Sequence, residues 1–191
     1  GFRRDRLRVC GHPQYDHVLD LGRTWNDADR NRMRRAFLPG AGDGQKAVVF
    51  LSEGSERVPL LTSLPPLEEY SLRGWGTRTG RTEMIIEEFL DAVQGIPERP
   101  YLVLRLHPKD HPDDFDTYAG YFDRIDYQSP PLELTFCADL VVGMTSMLLM
   151  EAAILGRKTL SIVPRQLEKD WLPTVRRGTT PCVMNRADLT R

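Results

Sequence analysis

Two short turns carry the groups of this sequence best suited to hold an anion, and one carboxylate follows the second of them. Leu106-His107-Pro108-Lys109-Asp110 offers an imidazole and an ammonium close together, and its proline stops the preceding strand. Gly143-Met144-Thr145-Ser146 precedes the apolar run Met147 to Leu155. Small and hydroxyl residues at a helix start leave backbone N–H groups open, and the helix dipole favours negative charge there, which makes a phosphate cradle. Glu151 is the single charged residue in that run. A helix so apolar is expected to be buried nearly all round, and a buried carboxylate needs a partner. That partner is either a ribose diol or an internal group such as Arg157 or a backbone amide. His107 and Ser146 have plain alternatives too: His107 as a strand cap bonded to a backbone carbonyl, Ser146 as an ordinary helix N-cap.

The elements around these turns place them. Ala47 to Leu51, Tyr101 to Leu106, Ile125 to Tyr127, Asp139 to Val142, Thr159 to Val163 and Cys182 to Met184 read as strands, the first as a strand buried on both faces. Helical spacing occupies Asp27 to Leu38, a helix beginning near a Thr82 cap and stopped by Gly95 and Pro97, Leu132 to Cys137, and Met147 to Leu155 with Gly156 as its stop. Strands and helices alternating in this way predict an α/β class, a doubly wound, mainly parallel Rossmann-like sheet with helices on both faces. Such a sheet binds ligands beyond the carboxyl ends of its strands, so the post-strand turns are where a site is expected. Residues 1–40 read as a lead-in segment with a helix and 41–191 as the Rossmann-like domain. Val58 to Gly80 holds three prolines and three glycines and reads as an irregular loop, less ordered than the sheet.

Composition narrows the function. The 191 residues hold 26 Lys and Arg against 27 Asp and Glu, a formal charge of −1, so no global field draws in nucleic acid. Three cysteines, Cys10, Cys137 and Cys182, show no CxxC spacing and fit neither a disulfide framework nor a zinc site; a reducing, cytoplasmic compartment is expected. Cys137 reads as core rather than nucleophile. There is no bilayer-length apolar run, no GxxxxGK[ST], no GxSxG and no HExxH, and no ligand cluster points to a metal. Gly40 to Gly44 precedes a strand instead of following one, so it is not a dinucleotide fingerprint. The absence of an initiator Met and the helix-cap pattern from Asn185 read as a domain cut from a longer protein.

Four features in order, Val9-Cys-Gly-His-Pro-Gln-Tyr-Asp16, Leu106-His-Pro-Lys109, Ala138-Asp-Leu-Val-Val142 and Gly143-Met-Thr-Ser146 followed by Glu151, resemble the C-terminal, nucleotide-binding half of GT-B-fold enzymes. That group takes in glycosyltransferases of capsules and surface polysaccharides, CDP-glycerol glycerophosphotransferases and non-hydrolysing UDP-N-acetylglucosamine 2-epimerases. The resemblance implies a nucleotide-sugar or nucleotide-alditol donor of the UDP, CMP, CDP or GDP type and no cofactor. It further implies phosphate contacts from Gly143, Thr145 and Ser146, a ribose contact from Glu151 and nucleotide contacts from His107 and Lys109. A glycan or alditol acceptor would be bound by a domain preceding residue 1, which would also supply the general base. Epimerases usually carry two glycines after the serine, where this sequence has Met147 and Leu148, so a transferase is favoured over an epimerase. A non-catalytic α/β module using the same crevice is the remaining alternative.

Overall fold

The computed structural model describes residues 3–6, 8, 10–54, 70–77 and 80–190. Six strands form one sheet: β1 (Ala47–Leu51), β2 (Tyr101–Arg105), β3 (Arg124–Asp126), β4 (Leu140–Gly143), β5 (Lys158–Ile162) and β6 (Cys182–Val183). Their order is β3-β2-β1-β4-β5-β6 and every pairing is parallel, with Val49 opposite both Val103 and Val141 in the centre. The chain builds outward from β1 to β3 and then returns to the other side of β1 with β4. The order therefore reverses between β1 and β4, and the carboxyl ends of both strands open onto that switch point.

Alternate residues of β1 serve the two faces. Val49 and Leu51 join a cluster with α1 (Pro13–Thr24), α2 (Asp27–Phe37), α4 (Pro131–Cys137) and α5 (Met147–Ile154) through Val18, Met33, Leu134 and Leu149. Val48 and Phe50 join the opposite cluster, with α3 (Arg81–Gln94) and the 3-10 turn Pro112–Tyr118 supplying Ile85, Ile86, Phe89, Phe115 and Tyr118. Residues 13–37, expected as part of a lead-in, contribute fully buried Val18 and nearly buried Met33 to the first of these clusters. Gly22 permits α1 to lie against α5: a Cβ there would stand 3.3 Å from the Ile154 carbonyl oxygen. Two short helices, α6 (Pro173–Arg176) and α7 (Arg186–Leu189), complete the chain, α7 capped by Asn185 as its sequence suggests.

Several local expectations change. α1 is not foreseen as a helix, although its start is conventional: Gly11 adopts φ 79°, His12 Nδ1 accepts the Gln14 N–H at 3.3 Å and Pro13 takes the first position. α3 begins after Gly80, not at a Thr82 cap, because the Thr82 hydroxyl donates instead to the Glu53 carbonyl at 2.7 Å. α5 is not buried all round: Leu149, Met150 and Ala152 are buried, but Met147 is 46% exposed. β3 lies one residue earlier than expected, leaving Tyr127 exposed beyond the sheet. Of the loop expected over 58–80, residues 58–69, 78 and 79 lie outside the described residues. The part from 70 to 77 has no helix or strand, but it is tied down. Buried Glu88 accepts the N–H groups of Arg73 and Gly74 at 3.0 and 2.9 Å, buried Glu87 accepts that of Trp75 at 2.7 Å, and the Trp75 indole donates to Asp91 at 2.9 Å. Polar groups from a neighbouring helix thus supply the bonds that the glycines and the missing regular structure withhold.

The amino edge of the sheet is held by Asp139. It accepts the Ala47 N–H at 2.8 Å and bonds from Arg30 and Arg34 at 2.9 and 3.1 Å, joining β1, β4 and α2. Burial works to raise the Asp139 pKa, but the Ala47 N–H and the two guanidiniums outweigh it and hold the carboxyl below its usual value. A lowered folded-state pKa gives stability that is present above the usual carboxylate value and lost as pH falls through the lowered one. Asp139→Asn is expected to cost about 2 kcal/mol at pH 7. Urea unfolding of both proteins from pH 7 to pH 2 should show that gap closing at the acid end; a gap that is constant with pH contradicts the ion-pair role.

Candidate functional site

Three turns follow the carboxyl ends of β1, β2 and β4, and they converge. Ser52, Glu53 and Gly54 come from β1, Leu106 to Lys109 from β2, and Thr145 and Ser146 from β4; with Met147, Leu148 and Glu151 of α5 they line one cleft of about 500 Å³. This cleft lies at the switch point. His107, Lys109, Thr145, Ser146 and Glu151 all face it. Gly143 does not line it: it ends β4 beneath the cleft, where a Cβ would stand 3.4 Å from Leu51 Cβ.

The β2 turn is rigidly built. Ser52 donates its hydroxyl to Asp110 at 2.6 Å, and the His107 N–H donates to Ser52 Oγ at 2.8 Å and to Asp110 Oδ2 at 3.1 Å. The His107 ring does not bond a backbone carbonyl, the alternative that its sequence leaves open; its Nδ1 accepts the Lys109 N–H at 3.2 Å. With Nδ1 used as an acceptor, a neutral imidazole carries its proton on Nε2 and can donate it to a ligand. Gly54 keeps room for this ring, since a Cβ at that position would stand 3.0 Å from His107 Nδ1. Lys109 is exposed and has no ion-pair partner among the described residues. Arg105 also lines the cleft, but its guanidinium is bound to buried Asp126, which Arg124 holds as well.

At the start of α5, Ser146 is the N-cap, its Oγ accepting the Leu148 N–H at 3.3 Å. The N–H groups of Ser146 and Met147 have no carbonyl within the helix to bond. Thr145 is different. Its N–H donates to Glu53 Oε1 and its hydroxyl to Glu53 Oε2 at 2.9 Å. Glu53 also accepts from Arg81 at 2.9 Å, and Arg81 meets Glu168 at 2.5 Å. Glu168 in turn accepts from Arg165. Burial alone would lower the Arg81 pKa; the two carboxylates raise it, so this nearly buried guanidinium, 3% exposed, stays charged.

Glu151 is half-buried and its internal partner is neither Arg157 nor a backbone amide: Gln14 of α1 donates to it at 3.2 Å. Arg157 lies over the Phe136 ring at 4.9 Å instead. Sequence reading passes over Glu53, Arg81 and Gln14. Glu53 carries a usable signal, since it stands two residues past a buried strand, as His107 and Thr145 do. Cys137 is fully buried, and burial pushes its thiol up to about 12, a core residue. Among the described residues no group of His, Cys, Asp and Glu is arranged to hold a metal ion, and no helix is long and apolar enough to cross a membrane.

No protein-family model and no curated protein matches the sequence. Solved structures do. The chain is similar to the Methanocaldococcus jannaschii UDP-GlcNAc 2-epimerase in complex with UDP-GlcNAc and UDP (TM-score 0.55, 16% identity, 99% of this chain and 47% of that one). It is also similar to the wall teichoic acid polymerase TagF, H444N variant soaked with CDPG (TM-score 0.53, 12% identity, 99% and 40%). A Thermosulfurimonas dismutans KpsC, a β-Kdo 2,7 transferase, aligns over 91% of this chain and 52% of its own at TM-score 0.46 and 18% identity. The chain thus spans about half or less of the length of these structures. At such identities the likeness is one of fold, and it is the Rossmann-like fold expected from the resemblance to the nucleotide-binding half of GT-B enzymes.

The geometry of the β2 turn generates a direct check. Long-range ¹⁵N–¹H spectra at pH 8 should show His107 with its proton on Nε2 and an unprotonated Nδ1. Gly54→Ala should perturb those signals while most of the fold is retained. An Nδ1–H tautomer would contradict the bond from the Lys109 N–H to the ring.

Proposed function

We propose that this chain is the donor-binding half of a GT-B-type transferase that uses a nucleotide-sugar or nucleotide-alditol donor in surface polysaccharide or other glycan synthesis. One observation carries the reading: at the switch point of the sheet, a single cleft gathers an Nε2–H donor at His107, an unpaired ammonium at Lys109, the start of α5 at Ser146 and a carboxylate at Glu151. These are the groups that a phosphate and a ribose need, and they line one cleft. Structures of the same fold solved with UDP and UDP-GlcNAc or soaked with CDPG support the choice of ligand class. Free cysteines at 10, 137 and 182 fit work in a reducing, cytoplasmic setting.

In the transfer step the bond to the leaving oxygen of the nucleoside phosphate breaks, at the sugar carbon of a nucleotide-sugar or at the distal phosphorus of a nucleotide-alditol. That oxygen keeps the electron pair, and negative charge grows on the departing nucleoside phosphate. Lys109, His107 Nε2–H and the N–H groups of Ser146 and Met147 would stabilise that charge, with Ser146 Oγ keeping the helix start in place. Glu151 would accept hydrogen bonds from the ribose hydroxyls. The acceptor and the base that deprotonates it would come from a partner domain, so this half alone is expected to bind without turning over.

Titration with CMP, CDP, UDP and GDP should raise the melting temperature with at least one of them. Ser146→Ala should weaken that ligand about ten-fold while costing the apo fold roughly 1 kcal/mol, the worth of a cap. Glu151→Gln should also weaken it and leave the apo fold nearly unchanged, because its partner Gln14 is neutral and can bond an amide as well. Unchanged affinity in both variants, or no stabilisation by any of the four, defeats the proposal.

A further inference from the structure

Thr145 offers an N–H and a hydroxyl at the point where a phosphate would meet the start of α5, yet Glu53 takes both. This carboxylate is not a passing surface contact. Its backbone carbonyl holds the Thr82 hydroxyl at 2.7 Å, its Oε2 holds Arg81 at 2.9 Å, and Arg81 is anchored by fully buried Glu168. Glu53 therefore sits on a built support that holds a negative charge inside the cleft.

We propose that Glu53 is a specificity-determining residue of the donor cleft: it occupies the Thr145 donors as an internal anion, so every phosphate that a ligand brings must displace or face a carboxylate. The inference rests on the donor-site reading given above. Like charges a few ångströms apart in a partly buried cleft repel strongly, and each added phosphate increases that repulsion. With Glu53 charged, successive phosphates on one nucleoside gain little affinity; with the charge gone, the Thr145 N–H and hydroxyl are released to the ligand and each phosphate gains more. Arg81, itself anchored by Glu168, is the second partner that the Glu53 carboxylate keeps when a phosphate takes its place at Thr145.

The test is a phosphate series measured by calorimetry: cytidine, CMP and CDP, and uridine, UMP and UDP, against the wild type and Glu53→Gln. The wild type should gain less than about three-fold in affinity per added phosphate and the variant about ten-fold, with the two nucleosides bound equally by both proteins. A parallel measurement needs no variant and stands if Glu53→Gln does not fold. Inorganic pyrophosphate added to ¹⁵N-labelled wild type should shift the Thr145 amide resonance, and cytidine should not. An identical series in both proteins, a loss of phosphate affinity in a folded Glu53→Gln, or a Thr145 amide that stays still while Ser146 moves overturns the role of Glu53 and leaves the donor site standing. Binding of no nucleoside or nucleotide to either protein removes the donor site and this role together.

Discussion

Arg81 carries a charge that is almost wholly removed from water, and that is tolerable only because Glu53 and Glu168 both face it. The three residues come from separate parts of the chain: the turn after β1, the first turn of α3, and the 3-10 turn Gln166–Asp170 that follows β5. Arg165 closes the row on the far side and lies over the Tyr70 ring at 5.3 Å. Alternating signs in one buried line fix the relative positions of these elements more tightly than apolar contact would, since a shift of any member leaves a neighbour uncompensated. The carboxyl edge of the sheet, where the cleft lies, is thereby organised by charge while the layers beneath it are organised by packing.

The two edges of the sheet follow one rule with different consequences. At the amino edge Asp139 draws Arg30 and Arg34 onto the end of α4, where their guanidiniums also meet the Cys137 carbonyl, and the result is a latch between layers. At the carboxyl edge the corresponding carboxylate, Glu53, faces a helix start. There the same attraction of an anion for N–H groups and a positive dipole end that stabilises Glu53 is also what makes the position suitable for a phosphate. Under the proposed function, stability and ligand binding would thus draw on the same donors at one place in the molecule.

Much of this arrangement is legible in the sequence, for reasons that differ by element. β1 and β2 show themselves because strands buried on both faces must be nearly continuously apolar, and α5 because its stop at Gly156, φ 75°, is a glycine requirement. The turns after β2 and β4 follow from the rule that ligands lie at strand ends. α1 is hidden because only Val18 of its twelve residues is fully buried, which leaves too weak an apolar stripe to read as a helix. The partners of Glu151 and Thr145 are hidden for another reason: Gln14 and Glu53 lie 137 and 92 residues away, and no periodicity reports on contacts that only the folded topology creates.

The charge balance of the cleft has a consequence for how it would hold an anion. Glu53 and Glu151 contribute two carboxylates, Arg105 is committed to Asp126, and Lys109 is the lining cation that no carboxylate holds among the described residues. A net positive field is therefore not what would bring a nucleotide in. What remains are directed donors: an imidazole N–H whose tautomer is set by the Lys109 backbone, and helix-start N–H groups whose direction is set by β4 and the Ser146 cap. Attraction through fixed donors falls off steeply with distance and angle, unlike attraction between charges. Under the proposed function such a cleft would discriminate by the placement of a phosphate more than by its presence, the property that selecting one activated donor among many anions requires.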